Sequence, residues 1–411
     1  MPETPKAERL RRSLSLWQVL LYGLGVTIGA GIYVLVGIAA ARSGTHAPLA
    51  FVGAALLLSF TAASLAELGT RMPVSASEAA YVDAAFGRNW LTLLTGLLVI
   101  GAAVISAATV SVGAAGYVGV FLPAPEPVRI AAVVIGMGLI ASLTTAQSVT
   151  VAGLMTLVEI GGLLAILGAG ALRSDLLLEA LPTTFTGLSL AAISGLLGTA
   201  LIAVFAFIGF EHVVNVAEEV RHPRKTLPRA LFLTLGVTTL LYALVVFVAI
   251  AAAPPSELAA SSAPLALAYQ RLTGHPLAAM GAIAIVATLN GIVVHVIMIS
   301  RVLYGLACKG DQPQFLGHLN ARTKTPARAT ALAVAAILVL ALIFPIDRLA
   351  QVTAQSTLGI FVLVNAALIR IKARESSPPP PHVFHTPNWV PYAGAATSLF
   401  LLLTSFMPGG G

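Results

Sequence analysis

Charge is scarce in this sequence. Asp, Glu, Lys and Arg make up only 9% of its 411 residues, whereas hydrophobic residues make up 58% and the mean hydropathy is +0.94. A soluble globular domain carries roughly a quarter charged residues, so the composition excludes one. The polar stretches are short and leave no room for a soluble domain or a nucleotide-binding cassette, which excludes ATP-driven transport by this chain alone.

Cysteine and clustered metal ligands are scarce as well. Cys308 is the only cysteine, so an internal disulfide is excluded. An intramembrane enzyme needs a convergent nucleophile and base or a set of metal ligands, and no span contains a histidine pair at metal-ligand spacing or an acidic cluster with a histidine. We therefore expect no bound metal, no cofactor and no intramembrane enzyme activity.

Long apolar runs dominate what remains. Each is close to the ~20 residues that cross the hydrocarbon core of a bilayer as a helix, so we predict an all-α polytopic membrane protein with about eleven transmembrane helices. The predicted spans cover residues 14–41, 48–70, 90–122, 129–147, 149–171, 189–217, 229–253, 277–307, 327–345, 348–372 and 390–407. Residues 1–13 form a cytoplasmic N-terminal tail, and residues 373–389 form a proline-rich cytoplasmic linker to the last span.

The basic residues are distributed unevenly between alternate loops. With the N-terminus in the cytoplasm, all but five of the 23 Lys and Arg residues fall in cytoplasmic segments. This bias follows the positive-inside rule and predicts an integral protein of the cytoplasmic (inner) membrane, with its C-terminus outside. Topology thus explains the net charge of +7, so the lipid bilayer and not a nucleic acid is the expected partner. The pattern says nothing of the oligomeric state.

Glycines interrupt two of the apolar runs. Gly29-Ala30-Gly31 lies in the first span and Gly209 lies in the sixth. Glycine weakens a helix, and interruptions at matching places in two halves of a chain point to a transporter binding site at the membrane midplane. We predict two five-span repeats, residues 14–171 and 189–372, inverted relative to each other because five is odd. The first span of each repeat is a broken helix, and the eleventh span lies outside the repeats.

The two interrupted segments carry family motifs. Residues 25–37, GVTIGAGIYVLVG, resemble the first span of the amino acid–polyamine–organocation (APC) superfamily. Residues 205–211, FAFIGFE, followed by AEEVRHPR and LPR, resemble its sixth span and the loop after it. Three weaker matches occur in family order: AEL and MPV with AFGR, then SRVLY, then TP. The resemblance covers spans 1–10 and is nearest to the bacterial proton-coupled branch related to cationic amino acid transporters. A dinucleotide-binding loop is excluded because no strand precedes the glycines, whereas close helix packing stays open for Gly23 and Gly25.

The resemblance implies a site for an amino acid zwitterion. One half of a broken helix ends in free N–H groups and the other in free carbonyls, which suit a carboxylate and an ammonium group respectively. By the family pattern the amides of Ala30, Gly31 and Ile32 face the carboxylate. The implied substrate-binding residues are Thr27, Gly29, Ala30, Gly31, Ile32, Phe205, Ile208 and Gly209.

The other half of the implied site comes mainly from the sixth span. By the same pattern the carbonyls of Thr27, Phe205 and Ile208 face the ammonium group. Phe205 matches the aromatic residue that covers bound substrate in the family. Packing of Phe205 on lipid or on a neighbouring helix is the alternative.

Four polar residues inside spans are candidates for proton or ion coupling: Glu159, Thr288, Asn290 and Glu211. A lone carboxylate deep in a span is costly, so Glu159 is expected to be protonated, paired or functional. Relatives in the resembling branch often carry lysine in this region, and glutamate departs from that pattern. Glu159 could therefore be a proton carrier, a cation ligand or a structural hydrogen-bonded acid. Thr288 and Asn290 are expected as its polar neighbours or as ordinary interhelical hydrogen-bonding groups. Glu211 either relays protons or binds backbone groups freed by the break.

Charged residues near the cytoplasmic face are expected to form an inner gate. Glu67, Glu218, Glu219 and Arg301 are the predicted salt-bridge partners there, with a solvated surface cluster as the alternative.

Together these features predict a secondary active amino acid transporter that uses protons for import by alternating access. An amino acid exchanger and a polyamine or organocation transporter are alternatives of the same class. A non-transporting amino acid sensor is an alternative of a different class. A small or medium neutral amino acid is the expected substrate, although two acidic candidates leave a cationic one open.

Overall fold

The computed structural model describes residues 12, 14–74, 77–143, 149–187, 189–308, 320, 325–375 and 383–406. Within these ranges the fold consists of α-helices and short 3₁₀ segments, and its only β pairing is the single bridge between Leu14 and Val220. The helices are α1 (Leu16–Ser43), α2 (Ala47–Arg71), α3 (Ser77–Phe86), α4 (Asn89–Val118), α5 (Glu126–Leu143), α6 (Val149–Ala171), α7 (Ser174–Phe185), α8 (Leu190–Phe207), α9 (Pro223–Ala252), α10 (Pro255–Ala260), α11 (Pro264–Thr273), α12 (Leu277–Cys308), α13 (Ala327–Ile343), α14 (Ile346–Arg374) and α15 (Trp389–Thr404).

The predicted all-α polytopic membrane fold is confirmed. Seven helical stretches of the described residues are long and apolar enough to cross a bilayer, and three further apolar helices are shorter. Each of the eleven predicted spans overlaps a helix, namely α1, α2, α4, α5, α6, α8, α9, α12, α13, α14 or α15. The grouping into two inverted five-span repeats remains a prediction.

The sixth span is broken where the sequence indicates. Helix α8 ends at Phe207, Ile208 is extended, and Gly209 has φ +126°, a conformation that favours glycine. The chain then continues as a 3₁₀ segment, Phe210–Glu219. Phe207 and Phe210 are fully buried, so the break lies inside protein, as a bilayer requires for irregular backbone.

The first span differs from its prediction. Helix α1 runs without interruption from Leu16 to Ser43, so the break predicted at Gly29–Gly31 is not present. Glycine disfavours a helix by only about 1 kcal/mol per residue. Two glycines therefore do not force an opening when neighbouring helices pack against the segment on several sides. Helix α1 has such neighbours in α6, α8, α9, α10 and α12.

Four short helices fill segments predicted to be loops. Helix α3 lies between the second and third spans, α7 between the fifth and sixth, and α10 and α11 between the seventh and eighth. A Cβ on Gly37 of α1 would stand 2.7 Å from the Leu258 carbonyl oxygen of α10, so α10 lies directly on the end of α1. These segments are too short and too polar to be recognised by hydropathy, and only packing orders them.

Candidate functional site

The break in the sixth span leaves an acceptor without a donor. The Ile208 N–H donates to the carbonyls of Val204 and Phe205, both at 3.1 Å. The Ile208 carbonyl receives no hydrogen bond from any residue the structure describes. It lies just past the C-terminal end of α8, where the helix dipole is negative. The arrangement therefore suits a cationic group such as an ammonium.

Glu211 occupies the other side of the break. Its carboxylate Oε2 accepts a hydrogen bond from the Gly209 N–H at 2.8 Å, and the residue is only 5% exposed. Of the two roles predicted for Glu211, binding of a freed backbone group is the one the geometry displays. Because the carboxylate already satisfies this amide, Gly209 is not open to a substrate carboxylate in this arrangement.

Tyr242 of α9 joins the first and sixth spans and was missed by sequence reasoning. Its hydroxyl donates to the Thr27 carbonyl at 2.7 Å and lies 3.1 Å from the Ala206 carbonyl. The ring packs on Phe207, with centroids 5.3 Å apart, and on Phe51 at 6.0 Å. A tyrosine inside an apolar run was the available signal, because its buried hydroxyl needs a partner.

The carbonyls predicted to face an ammonium group therefore differ in availability. Thr27 accepts from Tyr242, and Phe205 accepts from the Ile208 N–H. Ile208 alone among the three lacks a donor in the described structure. The Thr27 hydroxyl turns back to the Gly23 carbonyl at 2.7 Å, so it is satisfied within α1.

The amides predicted to bind a carboxylate lie in the continuous part of α1. In an α-helix the N–H groups of Ala30, Gly31 and Ile32 point along the helix toward carbonyls four residues earlier. Gly31 lies against α8, since a Cβ there would stand 2.4 Å from the Ala206 Cα. Gly209 is equally close to α1, with 2.8 Å to the Val26 carbonyl carbon. The burial of Gly29 and the side chain of Ala30 lie outside the described part of the structure.

Phe205 is 3% exposed and belongs to the hydrophobic core of the molecule, so it packs on protein and not on lipid. A small cavity of about 30 Å³ lies beside the break, roughly the space of one water molecule. It is lined by Ile208, Glu211, His212 and His295 together with Glu78 and both apolar and hydroxyl-bearing residues of α4 and α14. The His295 Nδ1 lies 2.8 Å from the Gly291 carbonyl, which fits a hydrogen-bonded structural histidine.

Glu159 lies at a second polar position, on α6. Its Oε1 accepts from the Asn290 Nδ2 of α12 at 3.0 Å, as the sequence predicts for these two neighbours. Its Oε2 has no partner among the described atoms, and the residue is fully buried. The Tyr33 hydroxyl of α1 donates to the Glu159 carbonyl at 2.6 Å. Glu159 is therefore linked to both the first and the eighth span.

Thr288 does not join this group. Its hydroxyl donates to the carbonyls of Ala284 and Ile285, at 2.8 and 3.1 Å, within its own helix α12. The Thr288 hydroxyl is thus satisfied on the preceding turn, as is common for a threonine in a helix, and its place beside Glu159 stays a prediction. In the described ranges no group of His, Cys, Asp or Glu is arranged to hold a metal ion.

The charged residues near the ends of α2 and α14 form a network different from the predicted one. Buried Glu67 accepts from Arg71 at 2.6 Å and from Lys372 at 2.9 Å, and its Oε2 also accepts from the Thr386 hydroxyl at 2.6 Å. Arg71 in turn pairs with Glu375. The Arg301 side chain lies outside the described residues. Glu67 thus fastens the segment before α15 to α2 and α14.

Comparison with known proteins identifies related sequences. A profile of the family described as amino acid permease matches residues 14–411. The branched-chain amino acid permease BcaP of Bacillus subtilis is 30% identical, over 97% of this chain and 88% of its own length. An uncharacterized transporter of Mycobacterium tuberculosis is 29% identical over 90% of this chain and 83% of its own. Cationic amino acid transporter 1 of Arabidopsis thaliana is 24% identical over 88% of this chain and 62% of its own.

Proposed function

This chain belongs to the amino acid permease family, and we propose that it imports amino acids by proton symport with alternating access. Family membership and the apolar helices make it an integral membrane transporter of amino acids, not an enzyme. Proton coupling, the direction of transport and the location in the cytoplasmic membrane belong to the proposal.

The break at Ile208–Gly209 is the observation that carries the proposed binding site. The Ile208 carbonyl, which has no donor among the described residues, stands at the negative end of α8 beside the first span, and it suits the substrate ammonium group. A carbonyl without a donor is costly away from water, so a ligand ammonium group that donates an N–H bond there relieves that cost.

The carboxylate of the substrate requires a change in α1. We propose that residues 29–31 unwind when substrate binds, which frees the amides of Ala30, Gly31 and Ile32 for the carboxylate. Each of the two glycines in this turn makes the helix about 1 kcal/mol less stable than alanine would, so unwinding costs correspondingly less. The cavity of about 30 Å³ beside the break is too small for an amino acid, so substrate binding also requires neighbouring helices to move. Such movement is what alternating access supplies.

A small or medium neutral amino acid is the proposed substrate. The backbone groups account only for the ammonium and carboxylate that all amino acids share. Apolar residues around the break, among them Phe205, Ile208 and Phe361, favour an aliphatic side chain. The printed name of the Bacillus subtilis relative, a branched-chain amino acid permease, supports the same class.

Glu159 is the proposed coupling residue. One oxygen of its carboxylate accepts a hydrogen bond from Asn290, and the other has no partner among the described atoms. The free oxygen can therefore take up a proton while the hydrogen bond to Asn290 is kept. Tyr33 connects its backbone to α1, the helix proposed to unwind. Protonation of Glu159 and the conformation of α1 can therefore depend on each other.

Uptake by purified protein in liposomes tests the proposal. The panel comprises radiolabelled leucine, alanine, arginine and putrescine, each measured with and without an inward proton gradient at fixed sodium. We expect gradient-dependent accumulation of leucine or alanine, recovered chemically unchanged. Accumulation that requires internal amino acid but no gradient identifies an exchanger, and uptake that follows sodium at fixed pH identifies sodium coupling. Absence of transport across the panel contradicts the substrate class.

Variants of Phe205 test the position of the site in the same assay. Phe205→Ala should raise the concentration for half-maximal uptake at least severalfold, while Phe205→Trp should be tolerated better because it still covers the substrate. Phe400→Ala on α15 is the matched control, since Phe400 is 49% exposed and does not line the cavity beside the break. Unchanged uptake by both Phe205 variants would place the site elsewhere.

A further inference from the structure

A basic groove lies at the N-terminal end of α9, outside the candidate substrate site. Its volume is about 1210 Å³, and five of its lining residues are arginine or lysine. We name it the basic groove and define it by Arg12, Arg221, Arg224, Lys225, Arg229 and Phe232.

The tertiary fold builds this groove from two distant parts of the chain. The Leu14 N–H donates to the Glu219 carbonyl at 2.9 Å, and the Arg221 N–H donates to the Leu14 carbonyl at 3.1 Å. This short β bridge lays the segment before α1 beside the segment before α9. Arg12 therefore lines the same groove as the basic residues of α9, although these residues are more than 200 positions apart in the sequence.

Four of the five cationic residues of the basic groove have no counter-charge among the described residues. No Asp or Glu occurs among its described lining residues. Arg12, Arg224, Lys225 and Arg229 form no ion pair with any described residue, and all four are exposed. The nearby network around Glu67, in contrast, pairs both Arg71 and Lys372. Like charges held together without counter-charges repel one another, so this cluster favours an external anion.

An apolar stripe continues from the basic groove along α9. Lys225 and Arg229 lie on the same helix face as Phe232 and Leu240, because residues three or four apart share a face. Phe232 and its neighbour Leu233 are 39% and 42% exposed, and Leu240 is 62% exposed. The Phe232 ring also contacts Phe384, with centroids 5.9 Å apart, which closes one wall of the groove. The charged groups of Lys225 and Arg229 therefore lie next to an exposed apolar surface of the same helix.

We propose that the basic groove binds an anionic phospholipid of the surrounding leaflet. The phosphate contacts Arg224, Lys225, Arg229 and Arg12, and an acyl chain lies on the stripe from Phe232 to Leu240. Arginine and lysine bind phosphate through charge-assisted hydrogen bonds, and each basic residue near an anionic leaflet contributes about 1 kcal/mol. The apolar stripe selects a lipid over a soluble phosphate, because a soluble phosphate would leave the stripe unoccupied.

Lipid binding to the detergent-purified chain tests this proposal by native mass spectrometry. Phosphatidylglycerol and phosphatidylcholine with identical acyl chains are titrated against the wild type and the double variant Lys225→Gln/Arg229→Gln. The control variant Arg88→Gln/Arg374→Gln removes the same charge from two exposed residues outside the groove. A thermal melt shows that each variant is folded.

We expect the wild type to prefer phosphatidylglycerol at least tenfold. The groove variant should lose about fivefold in phosphatidylglycerol affinity for each charge removed, while the control variant and all phosphatidylcholine affinities stay within twofold. Equal binding of the two lipids by the wild type, or equal losses in the two variants, would overturn the proposal. Displacement of the lipid by glycerol 3-phosphate at equal concentration would show an anion site without lipid specificity and would overturn it as well.

Discussion

Gly31 of α1 and Ala206 of α8 lie in direct backbone contact. A Cβ on Gly31 would stand 2.4 Å from the Ala206 Cα and 2.9 Å from the Ala206 carbonyl oxygen. A real Cβ cannot come this close to backbone, so only glycine permits the two helices to cross here. The crossing places the first span beside the break in the sixth, and Tyr242 then bridges the two helices by hydrogen bonds.

Gly31→Ala should destabilise the protein, because the added methyl group forces α1 and α8 apart. We expect a loss of about 1–3 kcal/mol, typical of overpacking, seen as a lower melting temperature in detergent. Gly53→Ala on α2 is the control, since a Cβ there meets nothing within 4 Å, and it should be neutral or slightly stabilising. A Gly31→Ala protein as stable as the wild type would refute the close crossing.

Tyr242→Phe should loosen the first span from the sixth without creating a cavity. The variant keeps the ring packing on Phe207 but removes the donor to the Thr27 and Ala206 carbonyls. We expect a loss of about 1–2 kcal/mol in stability and a weaker apparent affinity for substrate, since the position of α1 is less defined. Tyr392→Phe is the control because Tyr392 is 58% exposed. Equal stability and affinity in both variants would show that the bridge is dispensable.

Glu159→Gln should separate coupling from transport. Glutamine retains an oxygen that accepts from Asn290 but cannot change its charge. Gradient-driven accumulation should therefore fail, whereas exchange between internal and external amino acid should persist at a similar rate. Both activities are measured in the same liposomes, and a melting curve is the control for folding. Parallel loss of both activities with lower stability would mean that Glu159 is structural. Unchanged accumulation would mean that Glu159 is not the proton-coupling residue. Glu211 would then be the next candidate, and Glu211→Gln would test it.

Glu67→Gln should destabilise the protein strongly at the end of α2. It leaves Lys372, whose side chain is only 8% exposed, without its carboxylate partner. Breaking one partner of a buried pair costs about 3–5 kcal/mol, and the double variant Glu67→Gln/Lys372→Met should recover much of the loss. Glu257→Gln, which breaks an exposed pair with Arg271, should cost less than about 1 kcal/mol. Equal melting temperatures for Glu67→Gln and Glu257→Gln would contradict the assigned network.

The local features of this protein can be predicted from sequence alone. Apolar runs of helical length predict the spans, because a bilayer leaves the backbone few alternatives to a helix. Gly209 marks the break in the sixth span, since its φ of +126° is one that other residues rarely adopt. The proximity of Glu159 and Asn290 follows from the family resemblance and from the cost of an isolated buried carboxylate.

Contacts between distant parts of the chain depend on how the helices pack and are not visible in any local pattern of the sequence. The glycines of the first span indicate a break, yet neighbouring helices hold α1 continuous from Leu16 to Ser43. The bridge from Tyr242 and the partners of Glu67 join residues far apart in sequence, so no local pattern encodes them. The apolar runs predicted the eleven membrane-spanning helices, Gly209 predicted the break in the sixth span, and the rare acids within the runs predicted the buried carboxylates. Packing decided which backbone groups remain open at the break, because a hydrogen bond depends on distance in space and not along the chain.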